Sequence, residues 1–239
     1  MEYDLLSKSQ KTPLKESRLI VGSFPTFALT EGDKSQVNEK RELREANGDI
    51  PYYYGTSVNQ FWNWYQKYVD ANIDAKELAS IEKSLSERQI GITNVIISAK
   101  RKGKSNFDYD LYNREYRRDF FKIPGKGETL KILCTSKEVL HGMLFTPGYL
   151  KSQPELFHDH DESKLFESSY IQSLNASTPP SKPISKILIT KAGGRIECIA
   201  IPSPGSPFRT LRYYGFNNRF STKGFLNRYL EQTFEWFLT

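Results

Sequence analysis

The stretch Arg18 to Thr26, RLIVGSFPT, constrains this chain more than any other. Leu19, Ile20 and Val21 form a short unbroken apolar run, the pattern of a strand buried on both faces of a parallel sheet. Gly22 lets the backbone turn without a Cβ, and Pro25 ends further ladder pairing. In an open α/β sheet, ligands bind just beyond the carboxyl ends of the strands, so Ser23 to Thr26 fall where a site is expected. A second stretch, Ile201 to Arg209, IPSPGSPFR, follows another apolar run with the same grammar.

The segments between these stretches alternate in period. Ile92 to Ala99 and Thr129 to Thr135 read as further buried strands. Phe61, Trp62, Tyr65 and Val69 make one apolar helix face that Ser57 or Thr56 caps. Ala75 to Gln89 is a second amphipathic helix, with Gly91 as its C-cap. Asn113 to Lys122 reads as helical, and Ser136 caps the helix KEVLHGMLF. Ile184 to Ile189 and Arg195 to Ile201 form a hairpin-like pair around Ala192-Gly193-Gly194, and Ser221 to Phe237 is the closing helix. Such alternation implies βαβ units, an α/β fold with a parallel sheet. One domain over 1–239 is expected, with surface insertions at 30–50 (charged, with room for a short helix) and 145–185 (rich in proline and serine).

Composition narrows the function. No apolar run approaches the roughly 18 residues that span a bilayer, and the first ten residues lack the apolar core of a signal peptide. Cys134 and Cys198 lie inside apolar runs and read as reduced core residues, too few for a zinc or iron–sulfur site. A cytoplasmic monomer is expected, without cofactor. The run HDHDE at His158 to Glu162 reads as a solvated acidic loop, since consecutive side chains point opposite ways and do not gather on a metal. The net charge of +6 favours a polyanionic partner, nucleic acid being the commonest. Lys100, Arg101, Lys102 and Lys104 follow one strand directly, and Arg209 and Arg212 follow another.

Three loops then meet at one sheet edge: GSFPT, PYYYGTSVNQFW (Pro51 to Trp62) and IPSPGSPFR. Proline and small residues make stiff turns whose N–H groups can face a phosphate or a base. Ser203 and Ser206 offer hydroxyls for a phosphodiester, and the tyrosines offer stacking faces.

In order and content these segments resemble the uracil-DNA glycosylase superfamily, above all its mismatch-specific thymine/uracil and hypoxanthine-DNA branches. Gly22-Ser23-Phe24-Pro25 matches a Gly-x-x-Pro turn, Asn59-Gln60-Phe61-Trp62 an Asn-x-Phe-Trp segment, and Pro202-Ser203-Pro204 a Pro-Ser-Pro loop. The strand GITNV, Gly91 to Val95, and the later RFSTKGFL are also similar. The resemblance implies a three-layer α/β/α sandwich around a four-stranded parallel sheet. It implies excision of a deaminated or mismatched base from DNA by hydrolysis of the N-glycosidic bond, in base-excision repair. Asn59 would be the catalytic residue; Gly22, Ser23, Phe24, Tyr54 and Asn94 would bind the base. Lys100, Arg101, Lys104, Ser203, Ser206, Phe208 and Arg209 would contact the DNA. The chain departs from the pattern at Phe24, where many members carry Asn or Asp, at Ile201, where the uracil branch carries His, and at Gly205, where some members carry a wedging Leu. Those departures keep open a second reading, a catalytically silent nucleic-acid or nucleotide-binding protein of the same fold. A third is a phosphate-ester hydrolase using HDHDE.

Overall fold

The computed structural model describes residues 1–4, 6, 14–32, 36–117, 120–141, 184–214 and 222–239. In chain order the strands are β1 (Glu2–Asp4), β2 (Arg18–Gly22), β3 (Thr30–Glu31), β4 (Ile90–Asn94), β5 (Ile96–Arg101), β6 (Leu111–Tyr116), β7 (Thr129–Cys134), β8 (Ser185–Ile189) and β9 (Arg195–Ala200). The helices are α1 (Val37–Asn47), α2 (Phe61–Tyr68), α3 (Leu78–Glu87), α4 (Pro207–Thr210) and α5 (Thr222–Leu238). HDHDE and nearly all of the expected 145–185 insertion lie outside the described residues.

The chain is a mixed α/β protein. Its main sheet has the order β4-β2-β7-β9-β8. β4, β2, β7 and β9 run parallel, and β8 adds an antiparallel edge through its hairpin with β9. Gly193, at φ 80°, supplies the hairpin's left-handed position. β2 is paired on both edges and covered on both faces, and the double covering is why its apolar run is unbroken. Ile20 faces one core, with Phe61, Tyr65, Ile81, Leu85, Tyr229 and Phe234 from α2, α3 and α5. Leu19 and Val21 face the other, with Ile132, Cys134, Ile196 and Cys198. Burial raises the thiol pKa of both cysteines.

The second core shows what the sequence expectation omitted. It is closed in part by Ile96, Ala99 and Leu111, which belong to a separate antiparallel sheet of order β3-β1-β5-β6. Strands therefore cover part of a face expected to carry helices. The stretch Ile92 to Ala99 is not one strand. It breaks at Val95, whose N–H still donates to the Gly22 carbonyl at 2.9 Å, and β5 then joins the second sheet. Asn113 to Lys122 is not a helix either: 111–116 is β6, antiparallel to β5. Tyr116 and Phe120 stand four apart as on a helix, but pairing with β5 overrides that local pattern.

Two further expectations change. Residues 30–50 hold β3 and the well-formed helix α1, closed by Gly48 at φ 65°. The buried Lys40 docks that helix: its Nζ donates to the Thr30 carbonyl at 3.3 Å and hydroxyl at 3.2 Å, 4.6 Å from the Phe27 ring centre. Burial lowers the Lys40 pKa, against the opposing pull of Glu2. Gly91 is not the cap of α3. Gln89 takes the left-handed position, at φ 53°, while Gly91 lies inside β4, where a Cβ would stand 2.6 Å from Leu19 Cδ2. No helix among the described residues is long and apolar enough to cross a membrane.

Leu19 is fully buried and has no room to move away from a new methyl group. Gly91→Ala is expected to lower stability by about 1–3 kcal/mol, measured by urea unfolding. An unchanged midpoint would mean that β4 and β2 are not packed this closely.

Candidate functional site

The register of the main sheet sets its carboxyl ends side by side. Gly22 pairs with Asn94, Val21 with Cys134 and Cys134 with Ala200, so Asn94, Gly22, Thr135 and Ile201 form a row. At its centre Gly22 has no space for a side chain. A Cβ there would fall on Tyr54 Oη and lie 2.5 Å from Asn94 Oδ1. The glycine lets two polar side chains from other segments close over the end of β2.

Tyr54 reaches this point from a backbone at φ 56°, a conformation that costs a bulky residue free energy and persists only when its surroundings enforce it. Its ring packs against Phe61, with centroids 4.7 Å apart, so the surface read as a base-stacking face is partly used within the core. Its hydroxyl is buried near the Thr135 hydroxyl but outside hydrogen-bond geometry with any described residue. Burial pushes the phenol pKa well up. Asn94 is held from below: its Nδ2 donates to Oδ2 of the buried Asp4 at 2.8 Å. The buried Arg117 lies alongside, donating to Thr93 Oγ1 at 2.7 Å. Burial lowers its pKa, while Tyr53 and Asp4 act the other way. With its amide hydrogen on Asp4, Asn94 presents Oδ1 to Gly22.

Asn59 stands at the start of α2. Its Oδ1 accepts the Phe61 N–H at 2.9 Å, an Asx turn that leads into the helix; the N-cap position is Gln60, not Ser57 or Thr56. That oxygen is committed to the helix, and only the amide N–H group is available to a ligand. The next residue joins two of the expected loops: Gln60 N–H donates to the Pro204 carbonyl at 3.1 Å. Beyond Pro204 the Ser206 N–H donates to the Ser203 carbonyl at 3.0 Å, closing a turn before α4. Ser203 and Ser206 are both half-buried on this turn, and Phe208 and Arg209 project from α4 into solvent.

Phe24 and Arg101 depart from their expected roles. Phe24 is buried in the second core, not turned toward the row of strand ends. The Arg101 guanidinium lies 5.4 Å from its ring centre. Arg101 is no DNA-facing cation: it donates to Glu2 at 2.9 Å, to the Pro25 carbonyl at 2.7 Å and to the Ser105 carbonyl at 2.5 Å. The cause is the two-residue period of β5, which points Lys100 outward and Arg101 inward. Lys104 is exposed and ion-paired with Glu39.

The bonds of Arg101, together with one from Phe27 N–H to Asn106 Oδ1 at 3.0 Å, fold the 102–110 loop onto the first turn. This delivers a residue that no motif announced. Asp108, half-buried, comes close enough to Ser23, at the end of β2, for that hydroxyl to act on its carboxyl. Burial raises its pKa; the Ser23 hydroxyl and Arg114 oppose the rise, Glu138 adds to it and Arg101 opposes it. A partly desolvated carboxyl at the carboxyl end of a parallel sheet suits proton transfer. The sequence signal was faint, a lone Asp between two aromatics in a loop. No group of three or more metal-ligating side chains occurs among the described residues. No protein-family model, curated protein or solved structure matches the chain.

A buried hydroxyl without a partner carries an uncompensated desolvation cost. Tyr54→Phe is therefore expected to raise stability, by about 1 kcal/mol, in thermal or urea unfolding. A loss of stability would show that the hydroxyl is hydrogen-bonded in solution.

Proposed function

We propose that the protein is a DNA glycosylase of the uracil-DNA glycosylase type, hydrolysing the N-glycosidic bond of a deaminated or mismatched base in base-excision repair. The observation that carries this reading is the closing of Tyr54 and Asn94 over Gly22 at the end of β2, with the segment that bears Tyr54 and Asn59 tied to the Pro-Ser-Pro loop through Gln60 N–H and the Pro204 carbonyl. The four parallel strands fit the sheet of that superfamily, and the α/β/α sandwich is part of the same proposal. Base flipping costs a few kcal/mol, which contacts to phosphate at Ser203 and Ser206 and stacking on aromatic side chains would offset.

Asp108 takes over the proton chemistry that Phe24 cannot perform. Its carboxylate accepts a proton from a water whose oxygen adds to C1′ of the sugar. The C1′–N bond breaks, and its electron pair leaves on the base. Backbone N–H groups of the first turn and the Asn59 amide would stabilise that charge as oxyanion donors do.

Oligonucleotides carrying uracil, hypoxanthine, xanthine or mismatched thymine test the reading at enzyme excess: an abasic product is expected from at least one, and none from any would end it. Asp108→Asn is expected to cut the rate by about 10²-fold or more. The same change should stabilise the fold at neutral pH. A carboxyl whose folded pKa is raised above its ordinary 3.8 holds its proton more tightly folded than unfolded. Native stability is therefore lost as pH rises from 3.8 through the folded value, and the variant escapes that loss. An inactive but destabilised variant would mark Asp108 as structural.

A second reading, a catalytically silent nucleic-acid-binding protein, is favoured by the commitment of Asn59 Oδ1 to its helix and by the burial of Phe24 and Ile201. Asn59→Ala separates the two. Loss of the bond to the Phe61 N–H alone costs about 1 kcal/mol and leaves DNA binding intact. The glycosylase reading expects an additional drop in turnover of about 10²-fold.

A further inference from the structure

The 3-10 turn Asp108–Asp110 and the residue before it sort their side chains by chemistry. Both acids point inward, Asp108 to Ser23 and Arg114, and Asp110 to the Ser105 hydroxyl at 2.5 Å. Both aromatics point outward: Phe107 is 41% and Tyr109 75% exposed. Their rings are nearly parallel, at 10°, with centroids 5.0 Å apart. Arg209 from α4 lies 5.0 Å from the Phe107 ring centre and also donates to Ser206 Oγ at 3.2 Å. Its neighbour Phe208 is 56% exposed. Lys100 and Lys102 stand exposed at the base of the same loop.

Two stacked rings left in water forgo the burial that ordinarily stabilises aromatic side chains. With the carboxylates turned away, what faces solvent is flat, apolar and cationic. A nucleobase has a π-face for the rings and a phosphate for the cations, and such surfaces bind unpaired strands. A duplex hides its base faces in the stack, so the rings favour an unpaired base.

We propose that Phe107, Tyr109 and Arg209 form a stacking platform for an unpaired base of the strand engaged by the site. This rests on the glycosylase reading only for the identity of the strand. Because Asp108 lies between the two rings in sequence and faces Ser23, the platform borders the reacting centre. It would take a base beside the extruded one, not the extruded base itself.

The test is binding of an uncleavable single-stranded oligonucleotide bearing 2-aminopurine, against the fully paired duplex of the same sequence. The native protein is expected to prefer the single strand and to quench the fluorophore. Tyr109→Ala and Phe107→Ala should each weaken single-strand binding about tenfold, with duplex binding little changed. Tyr109→Phe should retain native affinity, since only the ring is used. Arg209→Ala should weaken both forms and reduce the salt dependence by about one phosphate contact. The exposed rings support no core, so unchanged melting temperatures are expected for all four variants. Absence of single-strand binding by the native protein, or an alanine variant that binds and quenches like it, would overturn the platform. So would equal weakening on single strand and duplex. Stacking without excision would leave the platform standing and remove the glycosylase reading; excision unaffected by ring loss, with native binding, would do the reverse.

Discussion

One guanidinium holds the candidate site in place. Arg101 bonds Glu2 of β1, the carbonyl of Pro25 in the first turn and the carbonyl of Ser105 in the 102–110 loop, over the ring of Phe24. Glu2 also accepts the Thr30 hydroxyl at 2.9 Å, and Thr30 in turn anchors Lys40 of α1. A buried ion pair adds little net stability over an apolar core, because both charges lose water. What it supplies here is position. Each of the three nitrogens of the fork is directed, so β5 and three segments from other parts of the chain are fixed to within hydrogen-bond tolerance.

The parallel strands were legible because burial on both faces writes itself as unbroken apolar runs. LIV in β2, ILC in β7 and CIA in β9 each carry that mark. The helices α2, α3 and α5 were legible from their apolar faces. The second sheet was not. Glu2–Asp4 and Thr30–Glu31 are too short to show a period, and their strand character comes from pairing, β1 with β5 and β3 with β1. Strand-end reasoning expected three loops at one sheet edge, and two of them are joined there through Gln60 and Pro204, while Tyr54 and Asn94 close over Gly22. Arg101 was misread because a run of adjacent cations looks alike in sequence, while a strand sends alternate members to opposite faces.

Asp108 was hidden for a different reason. Its value as a proton-transfer group depends on a loop folding back across the first turn, and that fold depends on Arg101 and Asn106, not on any local pattern. Sequence motifs mark places where the backbone itself does the binding, as in the Gly-x-x-Pro turn. They are blind to a side chain delivered by tertiary contact.

The apolar side chain of Phe24 in the first turn has a physical consequence. A ring at that position enters the second core and becomes the surface over which Arg101 is laid. An Asn or Asp there would have brought a carbonyl or a charge into a buried apolar cluster beside a guanidinium, at a desolvation cost. With Phe24 inside, Arg101 can reach past it to Ser105, and the loop it holds carries Asp108 to Ser23. The group missing from the first turn and the group present in the loop are thus linked through one contact. The same loop turns its acids inward and the residues that alternate with them outward. Phe107 and Tyr109 are those residues, so the exposed aromatic face and the sheltered carboxyl follow from a single turn of backbone.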